Sequence, residues 1–178
     1  MLTWNQTKEL LSNYTDHTFG PTSVEANLTM VGFQNANLQG AYLAGVKLQN
    51  ANLQDADLRY VNLAGAKLQG ANLTGADLYR ANLVGANLVG ADLTGADLVG
   101  ADLHGANLEG TGIITFNGSK HFAFYVPWQQ YIKIGGVGGS VLGWLRTYKM
   151  VGAEYGYTPE QIAEYLGFVQ MCANKVGA

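Results

Sequence analysis

Asp16 and His17 stand side by side, and a carboxylate beside an imidazole is the pairing that general acid–base catalysis uses. Adjacent residues in a polar loop are ordinarily solvated, so the pair reads as surface. His104 and His121 are the other candidates for proton transfer or metal binding, yet no cluster of Asp, Glu, His or Cys surrounds either one in sequence. Cys172 is the single cysteine, which excludes an intramolecular disulfide framework. Its place in an expected helix marks it as a small buried hydrophobe rather than a nucleophile. Residues 135–140 are glycine-rich and lead from a strand into a helix, as phosphate-binding loops do. They lack both the Lys-Ser/Thr ending of a P-loop and the third glycine of a dinucleotide fingerprint, so they read as a flexible connector. No catalytic, cofactor-binding or metal-binding residues are expected, and the chain is not read as an enzyme.

The elements that hold these residues are organised around residues 26–110, where a leucine returns every fifth position. Leu28, Phe33, Leu38, Leu43 and their successors through Leu108 form a series of seventeen units. An α-helix would place successive leucines about 140° apart, at about 100° per residue, and leave no apolar stripe. A strand would send alternate leucines to opposite faces. A coil whose every side is one pentapeptide, with the leucine pointing to the axis, buries all of them. Ala36, Ala41, Ala51 and Ala56, two residues before their leucines, suit a narrow interior, with Val31, Val46 and Val61 as the larger exceptions. Asn or Asp mostly precedes the leucine, where it can bond its own backbone. Glycines such as Gly65, Gly70 and Gly75 close most units at corners that call for positive φ.

This stretch resembles the pentapeptide-repeat family, whose units read roughly Ala-Asp/Asn-Leu-x-x. The resemblance implies a mainly β fold: a right-handed, four-sided β-solenoid over residues 26–112, with a small C-terminal α+β cap over residues 113–178. Four pentapeptides make a coil, and at about 4.8 Å per coil the repeat is roughly 20 Å tall. The coil then places Asp57, Asp77 and Asp97 on one column and Lys47 and Lys67 on the opposite one. Asp92, Asp97, Asp102 and Glu109 form a mildly acidic collar, for no basic residue lies among residues 81–110. Some members of the family carry acidic rods that resemble duplex DNA and inhibit gyrase, and the collar admits that alternative here. Lys47, Arg59, Lys67 and Arg80 interrupt the acidic surface in the first three coils.

Residues 1–25 leave the period and are expected to cap the first coil, whose open backbone edge invites pairing. A short helix over residues 7–14 and a break at Gly20-Pro21 are expected there. After Gly110 the composition changes: twelve of the nineteen aromatic residues follow. Residues 113–116 and 121–126 read as strands around the Asn117-Gly118 turn, and residues 131–134 as another. Ser140 caps an expected helix over residues 141–155, with Trp144, Tyr148, Val151 and Tyr155 on one stripe. Thr158-Pro159-Glu160-Gln161 has the capping-box pattern and opens a second helix with Ile162, Tyr165, Leu166, Val169 and Cys172 inward. This tail resembles the C-terminal extension of pentapeptide-repeat proteins of tailed phages and their bacterial hosts, matching at Ile134, Gly135, Trp144 and Gly156-Tyr157-Thr158. The resemblance implies Cys and His where this chain has Gly136 and Gly139, so any chemistry they would carry is absent.

Ten basic against thirteen acidic residues leave a net charge of −3, too mild to declare a nucleic-acid partner. Met1 opens no signal peptide and no long apolar run follows, which points to a soluble protein of the cytoplasm, or of a virion if the chain is phage-encoded. The expected role is a structural or protein-interaction module that binds a protein partner and self-associates through its C-terminal region, with no direct contact to nucleic acid or membrane. The candidate interaction surface comprises Asp57, Asp77, Asp97, Phe122, Phe124, Trp128, Tyr131 and Trp144.

Overall fold

The computed structural model describes residues 28–176, which divide after Thr111 into two compact units. The expected N-terminal cap, with Asp16 and His17, lies outside the described residues.

The first unit is the coil that the five-residue period requires. Parallel bridges such as Asn52↔Asn72 and Asn72↔Asp92 join residues twenty apart, so four pentapeptides complete one turn. Each side bonds in both directions: the N–H of Leu53 donates to the carbonyl of Asn72 at 2.7 Å, and that of Asn52 to Val31 at 3.0 Å. Leu58, Leu63, Leu68, Leu73 and Leu78 are fully enclosed, as are Ala66, Ala71 and Ala76. Large and small inward residues alternate along the axis, and both kinds are enclosed.

The corners follow from the turn geometry. The N–H of Ala76 donates to the carbonyl of Leu73 at 3.0 Å, closing a four-residue turn whose third residue, Gly75, has φ 68°. A turn with positive φ at its third position favours Gly or Asn, which is why glycine recurs there. The Asn or Asp before each leucine holds the side straight. Its Oδ1 accepts the backbone N–H two residues on, at 3.0 Å from Thr74 to Asn72 and 2.8 Å from Val99 to Asp97. Asn and Asp serve equally because each offers that oxygen.

The second unit is an antiparallel sheet covered on one face by two helices. Strands β1 (Ile114–Asn117), β2 (Phe122–Val126), β3 (Tyr131–Ile134) and β4 (Val137–Ser140) pair in sequence order. β4 corrects the expectation of a flexible connector over residues 135–140. Gly135, at φ 56°, turns the chain, and Val137 to Ser140 then pair with Ile134 to Tyr131. Ladder hydrogen bonds use only the backbone, so a Val-Gly-Gly-Ser stretch joins the sheet although its side chains carry no strand pattern. Gly138 is also the residue whose missing side chain leaves room for the Tyr131 ring.

Helix α1 (Val141–Glu154) is capped by Ser140, whose hydroxyl accepts from the N–H of Gly143 at 3.1 Å. Helix α2 (Pro159–Val176) opens with a reciprocal capping box, Thr158 N–H to Gln161 Oε1 at 3.0 Å and Gln161 N–H to Thr158 Oγ1 at 3.3 Å. The two helices pack together. Their core joins Ala123, Tyr125, Ile132 and Ile134 of the sheet to Trp144 of α1 and to Tyr165, Phe168, Val169 and Cys172 of α2. Tyr155, expected on the buried stripe, lies just past α1 and is 54% exposed, because the chain turns away at Gly156.

Candidate interaction surface

With the axis of the first unit filled, its outward side chains carry whatever the repeat does. Asp57, Asp77 and Asp97 stand on one column, joined by the bridges Asp57↔Asp77 and Asp77↔Asp97, and Lys47↔Lys67 forms another. These carboxylates are not simply an acidic stripe. One oxygen of each accepts a backbone N–H from its own turn, at 3.3 Å from Arg59, 3.0 Å from Tyr79 and 2.8 Å from Val99.

Arg59 adds a second restraint. Its guanidinium donates to Asp57 Oδ1 at 2.8 Å and to Asp57 Oδ2 at 2.6 Å, and its Nε lies 3.6 Å from Asp77 Oδ2 in the next coil. The hydrogen bond from Arg59 holds the Asp57 carboxyl below the usual carboxylate range. Beside this pair sits an aromatic group. Tyr60 meets Tyr79 edge to face with centroids 5.7 Å apart, and the Arg80 guanidinium lies 5.2 Å from the Tyr79 ring centroid. Tyr60 is 49% exposed. Sequence reasoning missed Tyr60 and Arg80 as a surface. The available signal was a large side chain at a corner position where glycine otherwise stands.

The aromatic residues expected on the interaction surface of the second unit are placed unequally. Trp144 is 6% exposed and donates its Nε1–H to the carbonyl of Ile132 at 3.1 Å, which makes it a core residue. Phe124 is 2% exposed. Neither ring is exposed on the surface, and Trp144 belongs to the core of the second unit. Phe122, Trp128 and Tyr131 are half-buried. Leu142 and Met150 of α1, absent from the expectation, are more than half exposed.

The remaining chemical candidates do not converge. His104 is exposed on the last coil, and its backbone N–H donates to Asp102 Oδ1 at 3.1 Å. His121 is half-buried with its ring edge-on to Tyr157, centroids 5.7 Å apart. Burial pushes the Cys172 thiol up to about 11, so it stays protonated at neutral pH. Among the described residues no group of three or more His, Cys, Asp or Glu is arranged to hold a metal ion, and no helix is long and apolar enough to cross a membrane.

The chain is similar to several known proteins over part of its length. A pentapeptide repeat protein, Rfr23, from the cyanobacterium Cyanothece 51142 is 45% identical over 48% of this chain and 58% of its own, with a TM-score of 0.48. HetL from Nostoc sp. strain PCC 7120, a pentapeptide repeat protein involved in heterocyst differentiation regulation, is 40% identical over 49% of this chain and 40% of its own, with a TM-score of 0.47. A third, also from Nostoc PCC 7120, is 44% identical over 42% of this chain and 62% of its own, with a TM-score of 0.42. The chain thus spans between 40% and 62% of the length of these structures. No curated protein matches it. Residues 36–75 and 71–110 match the family model for pentapeptide repeats, in eight copies. Register, inward leucines and family match fall on the same residues, and the chain carries a pentapeptide-repeat domain.

Proposed function

We propose that this chain is a non-catalytic protein-interaction module, serving as an adaptor or assembly component. The observation that carries the reading is the filled axis of the solenoid. Its leucines and alanines leave no room for a ligand, while backbone-bonded Asn and Asp hold the outer faces as a rigid frame for side chains that meet a partner. A rigid surface binds with little loss of conformational entropy. Self-association through the second unit belongs to the same reading, supported by the exposed Leu142, Met150 and Tyr155.

A duplex-mimicking inhibitor is the weaker reading, because Arg59 sits between Asp57 and Asp77 and breaks the charge of that column. Affinity capture of the full chain under cross-linking, followed by mass spectrometry, tests the proposal. Cross-links from outward solenoid positions to a second protein are expected. Their absence would overturn it. Light scattering tests the self-association, which a strictly monomeric chain would refute.

A further inference from the structure

Every corner of the solenoid needs a left-handed residue, and Gly, Asn or Asp supplies it in nearly every unit. Tyr60 and Arg80 break this rule on one column in consecutive coils, with φ 58° and 54°, between Gly40 and Gly100. Met30, in the first described unit, is the other large exception. Large L-residues are disfavoured there, and a strained backbone kept at two stacked positions directs attention to what the side chains do.

They build one cluster. Tyr79 stands between them, meeting Tyr60 by its edge contact and carrying the Arg80 guanidinium over its ring. Gly100 leaves the space Arg80 occupies: a Cβ there would lie 2.9 Å from Arg80 Cγ. Arg80 is exposed, and among the described residues no carboxylate pairs with it, whereas Arg59 is held by Asp57 and Asp77.

We propose that the Tyr60–Tyr79–Arg80 corner binds a protein segment that presents a carboxylate beside an aromatic or aliphatic side chain. The inference rests on the reading of the chain as an interaction module and names the chemistry of the partner. A guanidinium oriented by the ring beneath it offers paired donors that match a carboxylate. The half-exposed Tyr60 ring supplies the adjoining apolar contact, and Tyr and Arg are the residues in which binding energy at protein interfaces concentrates. A nucleic acid fits less well. Its phosphates would face Asp57, Asp77 and Asp97 with Arg59 already engaged, and phosphate binding draws its affinity from unengaged cations.

A random linear peptide library displayed on yeast, sorted against the full chain, tests this. Selected peptides are expected to carry Asp or Glu next to Phe, Trp, Tyr or Leu. A selected peptide, measured by fluorescence anisotropy, should bind about tenfold or more weakly to Arg80→Gln and to Tyr60→Gly. Replacing its acid by the amide should cause a comparable loss. Circular dichroism of both variants must match the parent chain. Selection of Lys- or Arg-rich peptides, or preferential binding of a labelled DNA duplex, would overturn the assigned chemistry. Acidic peptides whose affinity neither variant changes would refute this corner while leaving the interaction module standing. Failure to select any peptide, with no cross-linked partner, would refute both.

Discussion

Arg59 grips Asp57 through both carboxylate oxygens, at 2.8 and 2.6 Å, and reaches toward Asp77 one coil away at 3.6 Å. The pair ties a side of the solenoid to its neighbour at the surface. Both side chains remain partly exposed, so its contribution to stability is small and sensitive to salt.

Asp57 has a lowered pKa in the folded chain, so the stability it adds is fully present above the ordinary carboxylate range of about 4 and is lost as pH falls through the lowered value. Asp57→Asn keeps the Oδ1 that accepts the Arg59 N–H but removes the charge. Urea unfolding at neutral pH should show a slightly lower midpoint for the variant. The difference should vanish at about pH 2. A difference that grew on acidification would contradict the sign.

The same ion pair bears on DNA mimicry. With Arg59 between Asp57 and Asp77, the chain should leave gyrase supercoiling unaffected at protein concentrations comparable to the enzyme's. Potent inhibition in a gel assay, abolished when Asp57, Asp77 and Asp97 are all changed to Asn, would restore the mimic.

Leu73 is completely enclosed in the third described coil. Leu73→Ala removes its packing and leaves a void that rigid neighbours cannot close, at a cost of about 2 to 5 kcal/mol. A chemical-denaturation difference below about 0.5 kcal/mol would refute burial at that site.

Gly85 isolates the demand of the corner. Its φ is 65°, and beyond its two chain neighbours no described residue comes within 4 Å of where a Cβ would stand, so a substitution meets backbone strain alone. Gly85→Ala should cost about 1 to 2 kcal/mol. Gly85→Asn should cost less, since Asn tolerates this region, as Asn35 and Asn50 do at φ 56° and 55°. Equal thermal shifts for the two variants would remove the conformational explanation.

Tyr125 is fully buried in the core of the second unit, and its hydroxyl has no hydrogen-bond partner among the described residues. Burial pushes its pKa up. Tyr125→Phe removes an unsatisfied group at almost constant shape, so it should leave stability unchanged or raise it by about 1 kcal/mol. Marked destabilisation in a thermal melt would mean that the hydroxyl is satisfied after all.

The sequence by itself determined the coil, because a five-residue period is a local property: leucines at that spacing share an interior only in a solenoid, whatever follows them. It also placed the hairpin of β1 and β2, although the turn falls at residues 118–121 and Asn117 pairs with Phe122, as well as the Ser140 cap and the Thr158–Gln161 capping box, each decided by neighbours in the chain. Tertiary structure alone decided which aromatics face inward. Trp144 and Phe124 look no different in sequence from Tyr155, yet the first two are buried and the third is half exposed, since burial depends on what folding brings against each ring. β4 was equally illegible, because its pairing with β3 uses backbone groups that every residue possesses. Arg59 and Asp77 lie eighteen residues apart in the chain and one coil apart in space, and only the stacking of coils turns that separation into a contact of 3.6 Å.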